Sequence, residues 1–206
     1  MALTYALPRR TVRRRAAQLG VVAAAGALTL TACSSGSQVS SSAGARYVTS
    51  SSGISTVAKG SRVAAPELSG ETLEGAELDV NSAYKGKIVV LNVWGSWCSP
   101  CRAEAPNLAK VAKELKPKGV EFVGLNTRDA STGPAKAFEK DFGVEYPSLY
   151  DPAGKLLLRF PKGNLNPQAI PSTIVLDRDG KIAARKLTAL SEEQLHKMLD
   201  PLVAEK

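Results

Sequence analysis

The feature that most constrains the fold is an apolar strand that leads directly into a pair of cysteines. Residues 87–94 (Lys-Ile-Val-Val-Leu-Asn-Val-Trp) form a β-branched run long enough to cross the centre of a sheet. Cys98-Ser-Pro-Cys101 follows, and a helical pattern then continues to about Leu115. Free N–H groups and the dipole at a helix start stabilise a thiolate on Cys98, and Cys101 lies one turn further, close enough for a disulfide. Pro100 suits the first helical turn, where its missing N–H would have no partner.

The helix after the cysteines has an apolar stripe at helical spacing, formed by Leu108, Val111, Ala112 and Leu115. Projected at about 100° per residue, Cys101 and Glu104 fall on this stripe, so we expect Cys101 to be buried and Cys98 to be exposed. Burial of Glu104 would raise its pKa above the usual ~4.3 and allow it to exchange a proton with Cys101. The alternative is that Glu104 turns outward and pairs with Lys110 or another surface lysine.

The other elements alternate between strand and helix patterns. They are a hairpin over 66–80, strands at 120–126 and 146–150, helices at 135–142 and 191–204, a helical turn at 155–159, and a final hairpin of strands 172–177 and 182–187. This alternation predicts an α/β fold in which a mixed central sheet is flanked by helices.

Basic charge is concentrated at the N-terminal end. Eight of the 27 Lys and Arg residues precede Glu67, which is the first acidic residue. The other 19 are balanced by 19 Asp and Glu, so residues 67–206 are neutral. Nucleic-acid binding needs a basic surface on the folded part of a chain, and this class is therefore excluded.

The first 61 residues are typical of an exported, anchored protein. Five arginines between Arg9 and Arg15 precede an apolar run at 19–30, which is shorter than the ~20 residues of a membrane-spanning helix. The run ends in Leu-Thr-Ala-Cys33, which looks like a bacterial lipobox. We expect a signal peptide at 1–32, lipidation at Cys33, a Ser/Gly-rich flexible linker to residue 61 and a catalytic domain at 62–206. A plain secretory signal, an uncleaved anchor and twin-arginine export remain alternatives.

Residues 94–101 (Trp-Gly-Ser-Trp-Cys-Ser-Pro-Cys), with Glu104 and Pro106, resemble the thioredoxin superfamily and most closely its TlpA/ResA-like thiol–disulfide oxidoreductases. The resemblance implies a thioredoxin fold with an N-terminal β-hairpin extension and a central α/β insertion at about 129–150. It implies that Cys98 attacks, that Cys101 resolves, and that Pro171 is a cis-proline facing a redox-active Cys98–Cys101 disulfide, with Trp97 and Pro100 in support. Asn92 stands where thioredoxins carry a buried Asp, and Glu104 matches a buried Glu of ResA-like proteins.

The same resemblance implies a function at the outer face of the cytoplasmic membrane. The enzyme would be a monomer without a cofactor that reduces disulfides of exported proteins, typically apocytochrome c. A membrane electron donor of the CcdA/DsbD type would re-reduce it. The main alternative is a general disulfide oxidase or isomerase of secreted proteins.

Other classes fit the residues less well. A peroxiredoxin would need Pro-x-x-x-Thr-x-x-Cys, and a copper-delivering protein would need Cys-x-x-x-Cys with a distal His. A zinc site would need a second ligand pair, whereas the single His196 falls on the exposed flank of the last helix. A substrate-binding lipoprotein would leave the Cys98–Cys101 pair unexplained.

Overall fold

The computed structural model describes residues 38–42 and 45–205, and all elements below belong to this part of the chain. The strands are β1 (Gln38–Ser42), β2 (Ala45–Thr49), β3 (Ser55–Val57), β4 (Ser69–Glu71), β5 (Glu77–Asp79), β6 (Ile88–Trp94), β7 (Val120–Thr127), β8 (Ser148–Asp151), β9 (Ser172–Leu176) and β10 (Ile182–Lys186). The α-helices are α1 (Val80–Ala83), α2 (Ser99–Leu115), α3 (Thr132–Phe142) and α4 (Glu192–Ala204).

Eight of the described strands form one mixed sheet in the order β1-β2-β3-β10-β9-β6-β7-β8. β6, β7 and β8 run parallel, and every pairing from β6 across to β1 is antiparallel. All residues of β6 are buried, which explains its continuous apolar sequence, because both faces of a central strand are covered. β4 and β5 pair separately as a hairpin.

Two apolar clusters cover the two faces of the sheet. On one face, Leu108 of α2 and Leu199 of α4 pack in a cluster with Val90 of β6. On the other face, Leu91 of β6 belongs to a cluster that includes Tyr47 of β2 and residues of the segment between β8 and β9. A smaller third cluster joins α3 to the two cysteines. The predicted mixed sheet flanked by helices is therefore confirmed, as is the hairpin that precedes the central strand.

Part of the predicted flexible linker is folded, which corrects the sequence-based domain boundary. Residues of the range 34–61 form β1, β2 and β3, and both Ala45 and Tyr47 are fully buried. The Ser-rich composition conceals a two-residue alternation in β2, whose alternate side chains face the core. β10 provides the pairing partner, with Arg185 opposite Ser55. The prediction of a linker up to residue 61 is wrong for these strands.

The predicted signal peptide at 1–32 and the lipidation site Cys33 lie outside the described residues. Across residues 38–42 and 45–205, no helix combines the length and the apolar character that crossing a bilayer requires.

Candidate active site

The two cysteines lie where β6 gives way to α2. Cys98 is the N-cap residue of α2, and its Sγ accepts a 3.2 Å hydrogen bond from the backbone N–H of Cys101. The two residues form a disulfide, with their Cα atoms 5.3 Å apart. Pro100 occupies the first turn of the helix, where it interrupts no backbone hydrogen bond. The strand–helix junction that the sequence predicts is therefore present, and it holds both sulfur atoms at the helix start.

Both cysteines are buried, which corrects the expectation that Cys98 is exposed. The exposed fraction is 4% for Cys98 and 1% for Cys101. The two residues belong to a cluster with Leu73 and Trp94, against which Ile170 also packs. The helical projection failed for Cys98 because it considers one helix alone, whereas the covering residues come from other elements.

The segment before β9 carries a cis peptide bond between Ile170 and Pro171. β9 pairs with β6 such that Ser172 lies opposite Val93. This register brings Pro171 level with the end of β6, from which the chain continues to Cys98. The cis isomer that the resemblance implies for Pro171 is confirmed, and its neighbour Ile170 packs on the cluster that contains the cysteines.

Glu104 is a buried carboxyl on the same face of α2 as Cys101, with 1% of its surface exposed. Its Oε1 accepts a 2.8 Å hydrogen bond from Asn92 Nδ2, and its Oε2 accepts one of 2.8 Å from the backbone N–H of Leu190. Burial raises the pKa of Glu104 to about 7, although the two hydrogen bonds oppose this shift. The alternative, in which Glu104 turns outward to a surface lysine, is therefore not found, and Lys110 pairs with Glu192.

Asp129 is a further site residue, and the sequence analysis missed it. It follows β7, and its Oδ2 accepts hydrogen bonds from the backbone N–H of Ser96, at 2.9 Å, and from Asn126 Nδ2, at 2.7 Å. Its Oδ1 accepts a 2.5 Å hydrogen bond from Ser96 Oγ. Asp129 therefore fixes the loop that connects β6 to Cys98. The sequence feature that could have identified this residue is the pair Asn126 and Asp129 at the carboxyl end of β7, the strand that runs parallel to β6.

Trp97 forms the exposed rim of the site, with 52% of its surface accessible. The guanidinium of Arg128 lies 4.8 Å from the centre of its ring, within the range of a cation–π interaction. A Cβ atom at Gly95 would lie 2.7 Å from Trp97 Nε1 and 3.0 Å from the carbonyl oxygen of Thr127. The loop can therefore fold closely under the indole only with glycine at position 95.

His196 does not join this site. It lies on α4, with its ring nitrogens 3.4 Å from a carboxylate oxygen of Glu114 and 3.3 Å from one of Asp200. Its side chain is partly exposed, as the sequence indicates for that flank of the helix.

A disulfide at the start of a helix, with a cis-proline just before the strand that pairs with β6, is the arrangement with which thioredoxin-fold enzymes exchange disulfides. The strand order and the site geometry place this molecule in that class of thiol–disulfide oxidoreductases. The chain belongs to the Redoxin family, whose model matches residues 58–200, and within it to the TlpA/ResA-like proteins.

Relatives and a solved structure show the same class. The chain is 31% identical to the thiol-disulfide oxidoreductase ResA of Bacillus cereus over 138 residues, which cover 67% of this chain and 76% of that protein. It is 37% identical to the thiol:disulfide interchange protein HelX of Rhodobacter capsulatus over 133 residues, 63% of this chain and 70% of that one. A secreted thiol-disulfide isomerase from Corynebacterium glutamicum superposes with a TM-score of 0.69 at 32% identity, covering 74% of this chain and 93% of that one.

Proposed function

We propose that this enzyme is a membrane-tethered, extracytoplasmic reductase of disulfides in exported proteins, with the haem-attachment cysteines of apocytochrome c as the leading substrate. The observation that carries the proposal is the buried Glu104 on the Cys101 side of the dithiol. A carboxyl there disfavours a thiolate, and a dithiol whose thiolate is poorly stabilised is the better electron donor. The residues between the cysteines agree, because Ser99 and Pro100 offer no cation to stabilise a thiolate.

The proposed reaction exchanges one disulfide for another. The thiolate of Cys98 attacks a sulfur of the substrate disulfide and forms a mixed disulfide, releasing the first substrate thiolate. Cys101 then loses its proton to Glu104, and its thiolate attacks Cys98 Sγ, so that the second substrate thiolate leaves. The substrate gains two electrons, and the Cys98–Cys101 disulfide seen here is the oxidised product. A membrane electron donor of the CcdA/DsbD type would return the two electrons.

Membrane attachment is the part of the proposal that rests on sequence. The Leu30–Cys33 lipobox supports cleavage after residue 32 and lipidation of Cys33, which would hold the enzyme at the outer face of the cytoplasmic membrane. We further propose that the folded enzyme acts as a monomer and needs no cofactor, because the dithiol itself carries both electrons.

A second function, oxidation or isomerisation of disulfides in secreted proteins, is favoured by the likeness to the secreted isomerase of Corynebacterium glutamicum. The two functions use the same chemistry in opposite directions, and the reduction potential of the dithiol separates them. A reductase should have a potential near that of thioredoxin, about −270 mV, and an oxidase one nearer to that of DsbA, about −120 mV.

The test combines trapping with redox titration. A Cys101→Ser variant retains Cys98 and should accumulate mixed disulfides, among which apocytochrome c should be identified by mass spectrometry. A Cys98→Ser variant is the matched control and should trap none. Recovery of secreted proteins other than apocytochrome c, together with a potential near the oxidising value, would establish the second function instead.

A further inference from the structure

The N-terminal strands β1–β3 precede residue 58, where the match to the family model begins, yet Tyr47 of β2 contacts the loop that leads to Pro171. We propose that Tyr47 of β2 is a positioning residue for disulfide exchange, which holds the loop 160–171 so that Ile170 stays packed on the cluster that contains the dithiol. The inference rests on the disulfide exchange proposed above, but on neither its direction nor its substrate.

Tyr47 is the centre of a three-residue contact that we call the Tyr47 clamp, formed by Tyr47, Asn164 and Arg185. The hydroxyl of Tyr47 donates a hydrogen bond to Asn164 Oδ1. The guanidinium carbon of Arg185 lies 3.8 Å from the centre of the Tyr47 ring, and Arg185 Nη1 donates a hydrogen bond to the carbonyl oxygen of Gly163. A ring and a guanidinium from two strands of the same sheet thus hold adjacent residues of the loop.

The clamp is shielded from solvent, so water cannot readily replace its contacts. Tyr47 and Asn164 are fully buried, and Arg185 is 7% exposed. Burial raises the pKa of Tyr47, so the phenol keeps its proton and acts as the donor. Among the described residues Arg185 forms no ion pair with a carboxylate: its guanidinium lies over the Tyr47 ring and donates to Gly163, while its buried Nε has no hydrogen-bond partner there. Removal of the phenol oxygen would leave Asn164 Oδ1 unpaired in the interior.

The loop depends on such outside contacts because it has little internal structure. No helix or strand occurs between Phe160 and β9, and the described hydrogen bonds within the loop are short turns, such as Asn164 N–H to the Pro161 carbonyl oxygen at 3.1 Å. At its far end, Ile170 packs both on the cluster that contains Tyr47 and on the cluster that contains the two cysteines. A displacement at Asn164 can therefore reach the residues that flank the disulfide.

The clamp should matter more for large substrates than for small ones. Cys98 is 4% exposed, so a protein disulfide has to approach it past the surrounding residues, and Ile170 packs on the same cluster as Cys98. A small aromatic disulfide makes few contacts with the loop and depends mainly on the chemistry of the sulfur atoms. A positioning role thus predicts a selective loss with protein substrates.

The test compares Tyr47→Phe with Val48→Ala, which alters the next residue on the exposed face of the same strand. Tyr47→Phe should lower kcat/KM for insulin reduction about three- to tenfold, the range expected for one hydrogen bond. Reduction of dithiobis(nitrobenzoate) and the reduction potential should stay unchanged. Asn164→Ala should have the same selective effect, and the double variant should lose no more than either single one. Val48→Ala should match the wild type.

A second measurement does not depend on activity. The backbone N–H groups of Asn164 and Ala169 are hydrogen-bonded within the loop and should exchange with deuterium faster in Tyr47→Phe than in Val48→Ala. Two results would overturn the proposal: equal deuterium exchange of the loop in Tyr47→Phe and Val48→Ala, or an equal fall in the rates of Tyr47→Phe with insulin and with the small disulfide. A wild-type protein inactive on both substrates would overturn the proposed function. The deuterium exchange of the loop N–H groups would still decide whether the clamp positions this loop.

Discussion

Asn92 and Glu104 lie six residues on either side of Cys98, and the amide of Asn92 donates a 2.8 Å hydrogen bond to Glu104 Oε1. The same amide lies 3.2 Å from Thr173 Oγ1 on the strand that begins after Pro171. Because an amide does not titrate, Glu104 is the member of this pair that can take up a proton. A single carboxyl linked in this way to several elements of the site is well placed to couple proton and electron transfer.

Glu104→Gln should remove one ionisation near pH 7 from the pH dependence of disulfide exchange. The shape is kept, because the glutamine oxygen can accept from Leu190 while its NH₂ group donates to Asn92 after a flip of that amide. We expect the exchange rate near neutral pH to fall by about 10²-fold, which is typical when a general acid–base group is lost. Stopped-flow rates from pH 5 to 9 measure this, with Glu77→Gln on the exposed hairpin as the control. An unchanged profile would show that Glu104 takes no part in proton transfer.

Stability should fall as pH rises through the range in which Glu104 ionises. Its pKa is near 7 in the folded protein and near 4.5 when exposed, so the folded state binds the extra proton between these values. The stabilisation is complete below pH 4.5 and is lost as pH approaches and passes 7, with a size on the order of 3 kcal/mol. Urea unfolding of the oxidised protein from pH 5 to 8 should show a smaller decline in Glu104→Gln than in the wild type.

Glu139 on α3 should contribute to the same decline. Its pKa is also raised to about 7, by burial first and by the charge of Glu74 to a lesser extent, against a hydrogen bond with Ser148. Glu139→Gln should therefore flatten the pH dependence of stability without changing the pH profile of exchange, because Glu139 lies on α3 and its described hydrogen bond is to Ser148, whereas Glu104 lies one turn from Cys101 on α2. An altered exchange profile in this variant would contradict the separate roles.

Asp129 should respond differently to two substitutions. In Asp129→Asn the remaining oxygen can accept from the Ser96 N–H and from Asn126, while the NH₂ group donates to the Ser96 hydroxyl, so the loss of stability should stay below about 1 kcal/mol. Asp129→Ala leaves these donors unpaired and should destabilise by about 2–4 kcal/mol. Thermal unfolding checks both, with the exposed Asp141→Ala on α3 as the control. Equal effects of Asn and Ala would argue against the hydrogen bonds as the cause.

Gly95→Ala should displace the indole of Trp97. The new Cβ would lie 2.7 Å from Trp97 Nε1 and 3.0 Å from the backbone oxygen of Thr127, so both must move, which destabilises by about 1–3 kcal/mol. The chain has two tryptophans, so the indole N–H signals in a ¹H–¹⁵N spectrum can be assigned by single substitution. Gly133→Ala on α3, where no atom lies within 4 Å of the added Cβ, is the control and should leave both signals in place.

Cys33→Ser should abolish lipidation and release the enzyme from the membrane fraction. The lipobox places the only predicted acylation site at Cys33, and the other two cysteines are joined to each other. Labelling of cells with radioactive palmitate, followed by fractionation, measures both effects. Labelling that persists in Cys33→Ser would contradict the anchor, and a Cys98→Ser variant should remain labelled.

The central part of the fold is predictable because its local and tertiary patterns agree. β6 is apolar throughout since it is buried on both faces, and the helical spacing of α2 is sufficient to identify Cys101 and Glu104 as core residues. The burial of Cys98 and the roles of Asp129 and Leu190 could not be predicted. Each depends on contacts between distant segments, which the periodicity of a single element does not report.

The N-terminal strands escape prediction for a different reason. Eleven serines and four glycines in residues 34–61 suggest a chain that cannot bury enough surface to fold. β2 pairs with β3 and β3 pairs with β10, and a few buried side chains such as Tyr47 anchor these strands to the core. A prediction of flexibility from average composition fails where a short polar segment pairs with an existing sheet.

The pairing of β1–β3 with the rest of the sheet also determines which strand lies at its edge. With β3 paired to it at Ala184 and Arg185, β10 is an inner strand of the sheet, and the serine-rich β1 is the outermost of the described strands on this side. A chain trimmed to residue 62, as composition alone would recommend, would expose β10 as an open edge able to pair with a second molecule. The serines suit the terminal position, because a polar outer strand offers little apolar surface to a neighbour. The segment that resembles a linker therefore covers the edge of β10.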